Sequence, residues 1–293
     1  MLSLIICARS NDIPVSLKQN IANTVGAEYE IIVIDNSDNH HSIFSAYNLG
    51  VEKSKYPYLC FMHDDIAFHT QNWGAKVVKH FTDDSTGAVG IAGSPYFPAM
   101  PGAWWSSKVR NEITVTDKDG DITPSIHYYP AAADKNECVV LDGVWLCIRR
   151  ALFEKIKFDD TIFSGFHFYD IDICLQVNQL GYKLYCVFDV WIQHLSVGNT
   201  DKTWLKNALL VQKKWRQKLP ASCMKFSYLQ VCKFELRALN EYLDVMLRNN
   251  VPKNDIYKLA ATQLAGFGKC YFYYQTPFYI HKYFTKIANY GKD

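Results

Sequence analysis

The sequence predicts an α/β fold on a mostly parallel central sheet, and three observations carry the prediction. Leu2 to Ala8 (LSLIICA), Glu30 to Ile34 (EIIVI) and Tyr58 to Met62 (YLCFM) are short, almost uniformly apolar runs. Each run stops abruptly at polar residues, and helix-forming segments separate them. Strands this apolar suit burial on both faces, and strand, helix, strand, helix, strand implies a right-handed βαβαβ half-sheet.

The first run ends at Arg9-Ser10-Asn11-Asp12, with Pro14 near the first turn of the helix that follows. The second ends in Asp35-Asn36-Ser37-Asp38, and a helix is expected from about Ser42 to Lys53, containing Tyr47-Asn48-Leu49-Gly50. The third ends in His63-Asp64-Asp65, ahead of a helix starting near Gln71. In an open α/β sheet the carboxyl ends of the strands form the ligand crevice. A carboxylate is costly to bury alone, so Asp64 and Asp65 either face a cleft, a metal or a cation, or cap the next helix. Oxygen ligands there suit a hard divalent cation that also touches phosphate.

Ser94 to Glu137 is poorly periodic and rich in Pro, Gly and aromatics; its second half reads as a β-hairpin through Ile113, Val115 and Ile122 around Asp119-Gly120. Trp104 and Trp105 would serve there as a flat apolar platform for a pyranose ring or as a hydrophobic plug. Asp142-Gly143 closes the next strand before VWLCIRR, and a glycine there allows close backbone approach. Phe166 to Leu175 (FHFYDIDICL) opens a further helix. The spacing of Asp170 and Asp172 points them to different faces, one toward a cleft and the other toward a cap or a partner. Leu184 to Ile192 is read as one apolar run ending near His194, with Lys202 and Trp204 on a following loop that either orders over a ligand or packs.

Taken in order, LSLIICARSN, EIIVIDNSD, AYNLGVEKSKYPYLCFMHDDI, LDGVWLCIRR, FHFYDIDICLQVNQLGYKLYCV and WIQHLSVGN resemble the inverting GT-A glycosyltransferases of family 2, in particular their bacterial rhamnosyltransferase-like branch, over roughly residues 1–200. The resemblance implies a GT-A, Rossmann-like domain over 1–200 and a helical extension over 201–293. It implies a donor, a UDP- or dTDP-sugar, bound through the amino-terminal half, and a glycan or lipid-linked glycan acceptor bound through the carboxy-terminal half. Asp35 would hold the nucleoside, since a carboxylate accepts hydrogen bonds from a base N–H or from ribose hydroxyls. Ala8, Arg9, Asn48, Asp64, Asp142 and Gly143 would complete the donor pocket.

The His63-Asp64-Asp65 segment stands where the family carries its DxD metal motif, with His63 in the first acidic place. Asp65 is then the metal ligand, and His63 either a second ligand or a partner of the diphosphate. Imidazole tilts the expected cation from Mg²⁺ toward Mn²⁺. His194 would close over the metal and diphosphate. At the helix start the family has an acidic pair; here Tyr169 replaces the first acid and Asp170 keeps the second, the general base that takes the acceptor's proton.

With 49% hydrophobic and 15% aromatic residues in 293, the chain can bury a large core. Its nine cysteines are odd in number and include no C-x-x-C pair, which reads as reduced core thiols. No signal peptide or run of eighteen apolar residues appears, so a cytoplasmic protein is expected, peripheral at the inner face of a membrane if the carboxy-terminal region binds lipid. That region offers a basic amphipathic helix over about Thr203 to Leu219, a longer helix to Leu247, and a stretch over 266–290 that interleaves Lys with Phe and Tyr. A packed tail or a homodimer contact is the simpler account and the one preferred. A net charge of +2 with no nucleic-acid motif argues against a nucleic-acid partner. A nucleotidyltransferase would need a Gly-rich loop after the first strand, and CARSNDIP lacks one. The remaining alternative is a catalytically decayed GT-A protein that binds glycans or acts as a scaffold.

Overall fold

A computed structural model describes residues 1–107, 110–111, 113–116, 122–123, 134–196, 198–266 and 284–290. In chain order the elements are β1 (Leu2–Ala8), α1 (Val15–Thr24), β2 (Tyr29–Asp35), α2 (Ile43–Lys53), β3 (Tyr58–Met62), β4 (Ile66–Phe68), α3 (Trp73–His80), β5 (Thr86–Gly90), β6 (Ala92–Ser94), β7 (Tyr96–Phe97), β8 (Arg110–Asn111), β9 (Ile113–Thr116) and β10 (Ile122–Thr123). There follow β11 (Lys135–Cys138), β12 (Val140–Leu141), β13 (Trp145–Arg149), α4 (Tyr169–Gln179), β14 (Lys183–Val187), β15 (Ile192–His194), α5 (Lys202–Lys214), β16 (Ala221–Ser222), α6 (Tyr228–Arg248) and α7 (Lys253–Gly266).

The central sheet has seven strands in the order β11-β14-β5-β13-β3-β1-β2. Strands β2, β1, β3, β5 and β14 run one way, and β13 and β11 run against them. The expected parallel half-sheet is β3-β1-β2, in which Leu2 pairs with Tyr29 and with Tyr58. Alternate residues of each strand face opposite layers, as strand pleating requires. Ile5, Phe61, Leu146 and Ile148 join a core with α2, α4, α5 and α6; Leu4, Ile6, Cys60 and Met62 join a second core with α1 and α3.

Helix α2 begins where the sequence places it, because Ser42 accepts a hydrogen bond from the Ser45 N–H as a cap. Helix α6 begins at a capping box formed by Ser227 and Gln230. The expected hairpin appears as the antiparallel pair β9 and β10, with its Asp119-Gly120 turn outside the described residues.

Three local expectations are corrected. The apolar run Leu184 to Ile192 is not one strand: β14 belongs to the large sheet and β15 to a four-stranded sheet of order β10-β9-β15-β4. In the break between them Asp189 pairs with a residue from elsewhere in the chain, His80, whose Nε2 lies 2.9 Å from Asp189 Oδ1. Trp204 is not on a loop; it is buried in α5, packed against Phe168 and Tyr242. The apolar side of α5 (Trp204, Leu205, Ala208 and Val211) is likewise covered by the chain's own core, so it is not free to lie on a lipid surface. The basic aromatic stretch over 266–290 falls mostly outside the described residues. Among the described residues no helix is long and apolar enough to cross a membrane.

Candidate active site

The carboxyl ends of β1, β2 and β3 bring one group of the expected residues together. Ala8 pairs with Asp35 across β1 and β2, and the Asn36 N–H donates to the Ala8 carbonyl at 2.8 Å. Asp35 is exposed at the strand end, where its carboxylate accepts the Ser37 N–H at 2.9 Å in an Asx turn. Asp64 is half-buried; burial and the charge of Asp65 push its pKa up, and the charge and backbone of Arg9 draw it part of the way back. Arg9 itself is exposed. Asn48 behaves differently, because its amide donates to the Phe158 carbonyl at 2.8 Å and accepts the Phe158 N–H at 3.1 Å. That pairing ties α2 to the chain leading into α4 rather than presenting an amide to a ligand.

His63, Asp65 and His194 form a second group. The backbone of His63 extends the β3–β13 ladder through a hydrogen bond from its N–H to the Val144 carbonyl at 3.1 Å. The antiparallel pairing of β15 with β4, prolonged by Leu195 N–H to Asp65 O at 2.9 Å, sets His194 beside Asp65. His194 Nε2 lies 3.3 Å and His63 Nδ1 3.8 Å from Asp65 Oδ1. One donor atom from each of the three lies within 4.8 Å of the others, a spacing that a single cation can bridge. Burial and the neighbouring His194 hold His63 down, to about 4, so its imidazole is neutral at pH 7 and keeps a lone pair for a metal. Burial acts to raise Asp65, but hydrogen bonds to His194 and Ser196 outweigh it and hold the carboxylate well below its usual range. Two imidazoles with an ionised carboxylate suit a borderline divalent ion better than Mg²⁺. The segment does not cap a helix, because β4 intervenes and Asn72 stands at the start of α3.

Asp170 and Asp172 leave α4 on different sides. Asp172 is fully buried; its carboxylate accepts the Trp215 indole N–H at 2.8 Å, pairs with Lys214 at 2.8 Å and accepts Gln176 at 2.8 Å. Asp170 keeps part of its surface open and accepts the Gly143 N–H at 2.9 Å. Burial and the charge of Asp142 push its carboxyl up to about 7, which suits a group that must take a proton near neutrality. Asp142 is fixed in turn by the Val144 N–H at 2.9 Å and by the Trp104 indole N–H at 2.8 Å. Trp104 is therefore a buried anchor, while Trp105 beside it is 39% exposed.

The residue before the helix makes this placement at a cost. Phe168 takes a left-handed backbone (φ 69°), which costs a non-glycine residue of order 1–2 kcal/mol, and its ring is held in the core against Trp204. Gly143 does permit a close approach, and the group that approaches is Tyr169: a Cβ on Gly143 would lie 2.2 Å from the Tyr169 hydroxyl. Two neighbours escape sequence reasoning. Phe166 is 45% exposed with its ring 5.3 Å from that of His63, and Lys214 reaches Asp172 from a helix that begins 30 positions later (202 − 172). Neither contact has a local sequence signal.

A model of the glycosyltransferase-like family matches residues 3–215. The chain belongs to that family. Among solved structures, GalNAc-T7 with UDP, GalNAc and Mn²⁺ superposes with a TM-score of 0.52 at 13% identity, over 89% of this chain and 54% of that one. The chain thus spans about half the length of that neighbour, and the likeness is one of fold, the GT-A fold. The mannosyltransferase PcManGT from Pyrobaculum calidifontis, in complex with GDP-Man and Mn²⁺, gives 0.49 at 12% identity over 98% of this chain and 86% of that one. A curated relative, the protein of the ATP synthase subunits region ORF 6 of Fuscovulum blasticum, is 23% identical over 198 residues, 65% of this chain and 73% of its own length. The matches do not separate the rhamnosyltransferase-like branch from the rest of the family.

Proposed function

We propose that this glycosyltransferase-family protein moves a sugar, with inversion, from a nucleoside-diphosphate sugar to a hydroxyl of a glycan or lipid-linked glycan acceptor. The observation that carries the reading is the convergence of His63, Asp65 and His194 within 4.8 Å, together with Asp35 at the end of β2, Asp64 just after β3 and Asp170 at the start of α4. The UDP, GalNAc and Mn²⁺ held by the GT-A neighbour GalNAc-T7 support it. Asp35 and the Ala8-Arg9 strand end hold the nucleoside, and Asp142 and Gly143 border the donor sugar. Asp65, His63 and His194 hold a divalent cation, with Mn²⁺ favoured over Mg²⁺. When bound, the ion offsets charge gathering on the diphosphate. The acceptor oxygen attacks the anomeric carbon as the bond to the diphosphate breaks, and Asp170 takes the hydroxyl proton. The boundary at residue 200 is kept as the proposed division between the transferase portion and the helical extension.

Calorimetry of UDP and dTDP with and without Mn²⁺ tests the donor site. Asp65→Ala should abolish the Mn²⁺-dependent part of the affinity while leaving the unfolding transition in place. The same Mn²⁺-dependent affinity in variant and parent would remove Asp65 from the metal site.

A further inference from the structure

The two positions at which the sequence departs from the family pattern, His63 and Tyr169, touch each other. His63 Nε2 lies 3.1 Å from the Tyr169 hydroxyl oxygen, and that hydroxyl lies 2.9 Å from the Gly143 carbonyl oxygen. A phenol has one proton to give, and a carbonyl can only accept. With that proton on Gly143 O, the hydroxyl can only accept from His63, so Nε2 carries the imidazole proton. A neutral ring then has its lone pair on Nδ1, the atom that faces His194 Nε2 at 3.4 Å and Asp65 Oδ1 at 3.8 Å. The phenol has little freedom to turn elsewhere. Its ring is 3% exposed, set edge-on to Tyr47 at 5.4 Å and to Phe44 at 6.3 Å, and the missing side chain of Gly143 leaves the space its hydroxyl occupies.

We infer that Tyr169 is a positioning residue that fixes the tautomer and orientation of His63, so that Nδ1 is presented as a ligand to the cation shared with Asp65 and His194. The inference rests on the metal reading of the site proposed above. It gives the chain an outer partner of the kind that metal-ligating histidines usually have, with a phenol relaying to a backbone carbonyl in place of a direct carboxylate. It also accounts for the missing side chain of Gly143, whose space this hydroxyl fills. Tyr169 takes no part in the transfer itself.

Two measurements test this. In the metal-free parent, ¹⁵N spectra of the histidine side chains should show His63 protonated at Nε2 and bare at Nδ1; a ring protonated at Nδ1 would overturn the inference without reference to any metal or to whether a variant folds. In Mn²⁺ titrations followed by calorimetry or by electron paramagnetic resonance, Tyr169→Phe should weaken binding by about 10–100-fold. In a His63→Ala background, where no imidazole remains to be oriented, the same change should have no further effect. Parent-like Mn²⁺ affinity in Tyr169→Phe would overturn the positioning role and leave the metal site standing. Failure of the parent to bind Mn²⁺ at all would overturn the metal reading and this inference with it.

Discussion

Asp170→Asn is expected to lower kcat by about 10²–10⁴-fold while leaving donor affinity nearly unchanged, because an absent base slows proton removal without touching the nucleotide pocket. The side chain is placed for this by the left-handed Phe168 and by the Gly143 N–H, and it stays partly exposed. Its pKa is pushed up to about 7 by burial and by the charge of Asp142. Turnover in the parent should therefore rise with pH through that region as the base ionises. The linkage to stability has the opposite direction. A carboxyl whose folded value lies above its unfolded one contributes fully at low pH, and that contribution is lost as pH rises from about 4 toward 7. Asp170→Asn should remove both the acidic limb of the rate and this part of the pH dependence of unfolding. Full turnover of Asp170→Asn on an authentic acceptor would end the assignment.

The largest effect on stability is expected at Lys214. Its ammonium holds Asp159 at 2.7 Å and the fully buried Asp172 at 2.8 Å, joining α5 to α4 and to the chain before it. Burial pushes Asp172 up despite Lys214, Trp215 and Gln176, which act to hold it ionised. Removing the one cation leaves a carboxylate in the core with neutral donors only, and breaking a buried pair in this way costs about 3–5 kcal/mol. Urea unfolding of Lys214→Ala should show a loss of that size with an unchanged denaturant slope. A loss below about 1 kcal/mol would mean that the pair behaves like an exposed one. Because Asp172 faces away from Asp170, the variant protein that remains folded should keep parent-like nucleotide affinity.

Much of the fold could be read from the sequence because its signals are local. Strands β1 and β3 are unbroken apolar runs that end at polar residues, and Ser42 marks the start of α2. The positions of Asp35, His63, Asp65 and Asp170 at strand or helix ends could be read the same way. What could not be read is set by distant contacts. The break between β14 and β15 lies inside an apolar stretch, where Asp189 pairs with the distant His80. The partners of Asp172 and the engagement of Asn48 with Phe158 depend on how helices dock, which periodicity does not report. Tyr169 looked like the loss of an acid, and only its contact with His63 shows that it makes a new polar pair. Trp204 admits two local readings, a loop position and the start of the helix expected over about Thr203 to Leu219, and the structure selects the helix.

The most direct test of a metal-assisted donor site is a thermal-shift screen of sugar nucleotides against the parent and Asp65→Ala, with and without Mn²⁺. A ligand that binds only the folded chain stabilises it by mass action, by about 2.7 kcal/mol at ~100 times its dissociation constant. The account predicts that at least one UDP- or dTDP-sugar raises the melting temperature of the parent by several degrees, that the shift needs Mn²⁺, and that Asp65→Ala abolishes it. A panel in which no sugar nucleotide shifts the parent, or in which the shift is the same without Mn²⁺ and in Asp65→Ala, would contradict it.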